Sequence, residues 1–357
     1  MRLFKSLVLL AAAIGLASCA KKQDDVLSLY NWNQYIAPET VERFEKACNC
    51  KVQQSFYSDN SELMAKISGG AKGYDVLVPT SNYVSDLAKG GYLQPIDKSK
   101  VPNLKNVMPA YLNTEFDPGN QYSVPYAYTI TMLGYNDEKI KELGVPVDSW
   151  ALIFDPKILE KIKGRVTVLD SPDELTAAAL LYLGYSANER DPAKLEEAKN
   201  VILKAKSYWA AFKASGYIEL LAAGDIWVAH GYSNDIYGAD LGAQQAKKSF
   251  RIKHAMPKEG AVLALDAMVI SKDAPHPELA HKFIDFMLEG QNSADLTNML
   301  GSGNPNSAAM EHIKPEIKSM TAVFPDTETA KKLEMLKPRD PDQLRQLNQI
   351  WTEIKAE

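Results

Sequence analysis

Strand-like and helix-like segments alternate along the N-terminal part of this chain, and that rhythm constrains its fold more than any other feature. Residues 26–31 read as a buried strand, and residues 38–47 as a helix that opens on Pro38 with Val41 and Phe44 on one face. Residues 51–57 read as a second strand, and Asn60 caps a helix to residue 67 that stops at Gly69-Gly70. Residues 75–78 make a third strand and residues 82–89 a helix ended by Gly90-Gly91. Such alternation predicts a parallel sheet with helices on both faces, an α/β fold. Residues 122–135 then depart from the rhythm with one long, alternating, β-prone run.

The first strand ends in Tyr30-Asn31-Trp32-Asn33-Gln34-Tyr35, just before the helix at Pro38. Trp32 and Tyr35 therefore sit at the carboxyl end of a strand, where open α/β sheets place their ligand crevice. Either ring alone would read as core. Asn33 and Gln34 between them argue for a polar mouth.

The N-terminus carries an address. Arg2 and Lys5 precede an apolar run over residues 7–14 that is too short to cross a bilayer, and Leu16-Ala17-Ser18-Cys19 follows. This reads as a lipoprotein signal: residues 1–18 are removed, Cys19 is lipidated, and residues 19–25 serve as a tether. An ordinary secretory signal that happens to contain Cys19 is the plainer alternative. Either way the body works outside the cytoplasm, and on the lipoprotein reading the acyl chains hold it to a bacterial membrane. Disulfides are allowed in that compartment, yet none is expected in Cys48-Asn49-Cys50, because so small a ring would be strained. With Cys50 opening a strand, buried free thiols are the expectation.

Several function classes fall away on composition and motif. A formal net charge of −5 without any basic run argues against nucleic acid. The histidines show no paired i, i+4 spacing and no cysteine neighbours, so no metal site is expected, and no cofactor. An enzyme fails on parts: there is no Gly-x-Ser-x-Gly turn, no phosphate loop and no histidine–carboxylate set at usable spacing. Gly69-Gly70-Ala71-Lys72-Gly73 lacks the following Ser or Thr and reads as a helix stop. With 357 residues and 46% hydrophobic content, the chain is long enough for two domains with good cores.

Blocks running nearly end to end carry a resemblance: Tyr74-Asp75-Val76-Leu77-Val78-Pro79-Thr80-Ser81, Tyr122-Ser123-Val124-Pro125-Tyr126, Leu169-Asp170-Ser171-Pro172-Asp173-Glu174, Pro257-Lys258-Glu259-Gly260-Ala261, and a tail with Asp340-Pro341 and Trp351. Together with the Trp32 segment they resemble the substrate-binding proteins of bacterial polyamine importers, nearer the putrescine-binding members than the spermidine-preferring ones. The resemblance implies a two-lobed periplasmic binding protein of type II, each lobe a mostly parallel sheet flanked by helices, with the ligand in the cleft. It implies a monomer that gives a small cationic ligand to an ABC permease. On that plan residues 26–132 and 266–308 form one lobe, and residues 133–265 and 309–357 the other. The long run at residues 122–135 crosses between them. The second lobe holds strands at residues 165–169 and 226–229, helices at residues 172–183 and 192–206, and a polar break at residues 230–235. Residues 267–270 and 277–288 return to the first lobe as strand and helix.

A linear diamine is a methylene chain with a positive charge at each end, so it calls for carboxylates at both ends and aromatic walls between. By resemblance, Glu174 faces Asp266 and Asp235 as the ammonium-binding acids, Trp32, Tyr35 and Tyr232 are the walls, and Asn33, Thr80 and Ser81 are polar neighbours. Plainer readings stand beside these. Glu174 lies in the first turn of a helix, where the macrodipole favours an acid without any ligand. Asp235 sits in a polar stretch where a solvated turn residue is unremarkable. Asp266 is harder to explain away, because it interrupts an apolar run where an unpaired charge is costly.

Departures bear on the ligand. Ala264 and Ser302 stand where relatives carry large aromatics, which implies a wider or wetter pocket. Ser171 and Leu336 stand where triamine binders place an acid and an amide, and Asp235 where they place a serine, so these three point to a diamine, putrescine before spermidine. A polyamine sensor or buffer on the same scaffold stays open as an alternative.

Overall fold

The computed structural model describes residues 25–356. The signal, Cys19 and all of the tether but Asp25 lie outside the described residues. Eleven strands run in chain order as β1 (Asp25–Trp32), β2 (Cys50–Tyr57), β3 (Val76–Leu77), β4 (Leu93–Gln94), β5 (Ser123–Asn136), β6 (Val166–Leu169), β7 (Ala211–Lys213), β8 (Val228–Tyr232), β9 (Ile252–Ala255), β10 (Ala261–Ser271) and β11 (Leu333–Glu334). Hydrogen bonds join eight of them in the order β2-β1-β3-β10-β5-β8-β6-β7, with β4 and β11 pairing on β10 and β9 on β5. β1, β2 and β3 are parallel, as are β6, β7 and β8, and helices pack on these groups. The antiparallel pair β5–β10 links the two groups.

Cores form on either side of that pair. Leu27, Leu29, Val76, Val78, Met268 and Ile270 face one helical layer, and Tyr30, Leu77, Ala267 and Val269 face another, the two-residue period of strands buried on both sides. A separate, larger core gathers Ile130, Met132 and Leu133 of β5, Val262, Leu263 and Leu265 of β10, strands β6 and β8, and Ile350 and Ile354 of the C-terminal helix. The chain is thus two-lobed, with β5 and β10 passing from one core to the other. Their register slips between Asp266 and Ala267, which pair with Ala127 and Pro125 and leave Tyr126 as the extra residue. Pro125 has no N–H to give the ladder, and a bulge accommodates it. Among the described residues no helix is long and apolar enough to cross a membrane.

Three expectations need correction. Cys48 and Cys50 are bridged. Cys48 ends the helix Pro38–Cys48, and Asn49 takes a left-handed conformation at φ 52°, which reverses the chain and sets the two Cα atoms 5.2 Å apart, within bridging range. The expectation pictured both cysteines on extended backbone. The cap of the helix Asn60–Ser68 is Asp59, whose carboxylate accepts from the Glu62 N–H at 3.0 Å. Finally, residues 230–235 are no break: β8 runs through Tyr232, and the helix Ser233–Gln245 begins at once. Pairing with β5 overrides local polarity there, and His230 is fully buried. Burial pushes its pKa down to about 3, so it stays neutral.

Candidate functional site

Asp266 lies at the slip in β10, where the strand leaves one core for the other, and its carboxylate is only 6% exposed. Two hydroxyls hold it: Tyr35 donates to one oxygen and Thr80 to the other, each at 2.8 Å. Thr80 is fixed in turn by Asn60, whose amide nitrogen donates to its hydroxyl and whose amide oxygen accepts from its N–H. The Tyr35 loop is organised by a buried amide. Asn31 accepts from the Trp32 N–H at 2.8 Å and donates to the Tyr35 carbonyl at 3.2 Å, while Gln34 turns the chain at φ 54°. The Tyr126 hydroxyl donates to the same carbonyl, and its ring meets that of Tyr35 edge-on. Trp32 donates from its indole to Val78 and leans on Tyr57 with ring centres 4.6 Å apart.

Across the sheet, Glu174 projects from the first turn of the helix Pro172–Tyr182, whose cap Ser171 accepts from the Glu174 N–H. It is 7% exposed, and one of its oxygens has no hydrogen-bond partner within the protein. Burial raises its pKa to about 7, against the lowering effect of the nearby Thr131 hydroxyl and with a small push from Asp173. The macrodipole does not rescue the charge; desolvation wins. Asp266 and Asp235 are each raised to about 6, also by burial, although hydroxyl donors oppose the rise in both. Among the described residues no lysine, arginine or histidine offsets any of the three acids.

Tyr232 stands between them. Its hydroxyl pKa is pushed well up, first by burial and then by the charges of Glu174, Asp235 and Asp266, so residues from both cores converge on this ring. Its N–H donates to the Tyr217 hydroxyl, which donates to Asp235. Gly231 makes room for this arrangement, since a Cβ there would lie 2.5 Å from the Tyr217 ring.

Hydrogen bonds and mutual electrostatics thus bring Tyr35, Thr80, Glu174, Tyr232, Asp235 and Asp266 into one neighbourhood, with Trp32 packed on Tyr57 at its edge. Ser81 lies buried beside Thr80 as the first residue of the helix Ser81–Lys89. Asn33 is exposed on its turn, outside the hydrogen-bond network that holds the acids. Sequence reasoning missed four contributors. Asn60 and Tyr217 act as supports, and Thr131 sits beside Glu174. Tyr83 lies within electrostatic reach of Asp173, Asp59, Asp86 and Glu174, its pKa raised to about 12 by burial with help from these acids. Thr131 and Tyr217 reach the site only through pairing between strands. Tyr83 lies two residues beyond the quoted Pro79-Thr80-Ser81 block, so its aromatic character was a signal available to find it. Buried acids at separated points with aromatic surfaces between them have the chemistry to take up positive charge.

Residues 39–325 match the model of the family described as bacterial extracellular solute-binding protein. A putrescine/cadaverine-binding protein of Pseudomonas aeruginosa is 51% identical over 353 residues, covering 99% of each chain. The putrescine-binding periplasmic protein PotF of Escherichia coli is 34% identical over 358 residues, covering 98% of this chain and 95% of that one. Among solved structures, a putative spermidine/putrescine ABC transporter protein from Listeria monocytogenes superposes with a TM-score of 0.82 at 30% identity, over 93% of this chain and 99% of that one. The TpPotD lipoprotein of Treponema pallidum superposes with a TM-score of 0.81 at 26% identity, over 93% of this chain and 100% of that one.

Proposed function

The chain belongs to the bacterial extracellular solute-binding protein family, and from that membership we propose that it captures a polyamine, putrescine foremost, and delivers it to an ABC import permease. The observation that carries this reading is the pair Glu174 and Asp266, two desolvated acids approached from different cores with no cation among the described residues to offset them. A diammonium ion supplies the missing charge at both ends, and Trp32, Tyr35 and Tyr232 flank its methylenes. Thr80, Ser81 and Asn33 complete the polar edge, and Asp235 sets the end that a triamine would overrun. Family members bind and transport solutes; on this reading the cleft does no chemistry and its ligand leaves unchanged.

We assign residues 26–132 and 266–308 to one lobe and residues 133–265 and 309–357 to the other, with the amine bridging them. Cys19 is the lipid anchor on this reading, in keeping with the Leu16-Ala17-Ser18 approach and with a structural neighbour that is a lipoprotein. Replacing Cys19 by Ala should release soluble protein or leave the signal uncut; normal acylation of that variant would refute the anchor. The ligand is tested by calorimetry on mature protein that has been unfolded and refolded to strip bound amines. Putrescine, cadaverine, agmatine and spermidine should bind one per protein, the diamines tightest. A protein that binds none of them is not a polyamine carrier.

A further inference from the structure

β5 and β10 have two faces, and the cleft uses only one. Leu265 pairs with Tyr128 and Leu263 with Ile130, so Tyr128 and Leu263 lie on the face opposite Ala264 and Asp266. Behind that opposite face is a cavity of about 790 Å³. Tyr111, Phe116, Tyr128, Leu263, Phe324 and Met335 make it mostly apolar, with Asn113, Thr114, Glu115, Asn188, Glu334 and Lys337 also in the lining. Tyr111 and Tyr128 stack there with ring centres 5.2 Å apart, and a Cβ on Gly303 would run into the Tyr128 ring.

Charged groups at the rim are already satisfied. Lys337 pairs with Glu115 at 3.0 Å, and Glu334 accepts from Ser186, the Ala187 N–H and Asn188. These contacts tie up the charged groups named, and the volume falls in the range of small-molecule sites, roughly 300–1,000 Å³. We propose that this cavity is a second ligand site, for one uncharged apolar molecule, and that its occupancy is coupled to the amine cleft through the shared strands. Bending β5 and β10 so that Glu174 approaches Asp266 on the front spreads the walls behind. A molecule wedged at the back therefore favours the arrangement in which the front is shut, and by reciprocity an amine in front tightens binding behind.

The coupling rests on the amine assignment above; the cavity does not. The probe is N-phenyl-1-naphthylamine, an uncharged fluorophore that brightens in apolar surroundings. It should titrate the refolded protein with saturation at one per chain, and lose that signal in Met335→Trp or, should that variant fold poorly, in Ala110→Trp at the lip. Saturating putrescine should tighten the probe by about threefold or more, and Met335→Trp should tighten putrescine while Met335→Ala weakens it. Absence of a saturable one-to-one signal would overturn the site, as would survival of that signal in the filled variants. Equal probe affinity with and without bound putrescine would overturn the coupling. A protein that binds no amine would fail the proposed function instead, and the probe titration would still decide the cavity.

Discussion

The two ends of the cleft are built differently. Asp266 is braced before any ligand arrives, with Tyr35 and Thr80 on its two oxygens and Asn60 behind Thr80. Glu174 is buried as deeply but keeps an oxygen without a partner, beside a Thr131 hydroxyl that has none either. Burial raises both, Asp266 from the ordinary aspartate range to about 6 and Glu174 from the ordinary glutamate range to about 7, so the difference between the ends lies in their hydrogen bonds. Donors aimed at a carboxylate stabilise its charged form, so under the proposed function one end is an anion prepared in advance and the other waits on the ligand's own charge.

The largest effect expected is that of Asp266→Asn. Removing one partner of a buried charge pair costs about 2–5 kcal/mol, and each 1.4 kcal/mol is a decade, so putrescine affinity should fall by well over tenfold by calorimetry. The ligand-free variant should melt close to the parent, because an amide keeps at least one of the two hydroxyl contacts. Parental affinity, or collapse of the fold, would make Asp266 a structural acid.

Acidification should act next, and mainly at the unbraced end. All three folded-state carboxyl pKa values lie above their unfolded values, so the charged forms that bind an ammonium disappear as pH falls through about 7 and then about 6. Affinity should drop by about tenfold or more between pH 8 and pH 5.5. The ligand-free protein responds in the opposite sense at these groups: a raised carboxyl pKa contributes stability that is full below the unfolded value and is lost as pH rises through the folded one. Affinity that is flat across this range would mean the acids are ionised throughout.

Glu174→Gln should weaken putrescine by about tenfold, one decade for one lost charge contact, and raise the melting temperature of the ligand-free protein, which is where it should differ from Asp266→Asn. If both variants shift melting alike, the two ends are not distinct. The smallest effect expected is that of Tyr35→Phe, which deletes one brace: affinity should fall about fivefold, in line with a single hydrogen bond of about 1 kcal/mol, with the affinity-linked pKa of Asp266 moving further up.

The braced end was the more legible in the sequence, for a physical reason. Tyr35 follows a strand and Asp266 breaks an apolar run, so these two announce themselves locally, while Thr80 came through the family resemblance. Glu174 shows its helix turn but not its burial, which comes from packing across the sheet. Thr131 and Tyr217 were invisible because they matter only through the pairing of β5 with β8 and the room left at Gly231. The same limit explains the cysteines: a left-handed Asn49 is a property of one dihedral, and neither hydrophobic periodicity nor ring size reports it. The alternation of strand and helix, set by periods of two and 3.6 residues, carried most of the architecture.

The lobes are joined by β5 and β10, paired from Ser123 to Thr131 on one strand and from Val262 to Val269 on the other. In mechanical terms this is a flexure and not a pin joint. A change of angle between the halves has to be absorbed as curvature in a hydrogen-bonded ribbon that resists twisting and sliding, with its softest point at the irregularity beside Asp266. Such a part confines the halves to one arc instead of letting them tumble on a loose tether. Little orientational freedom then remains to be surrendered when a ligand is caught, and Asp266 sits at the register slip of that ribbon.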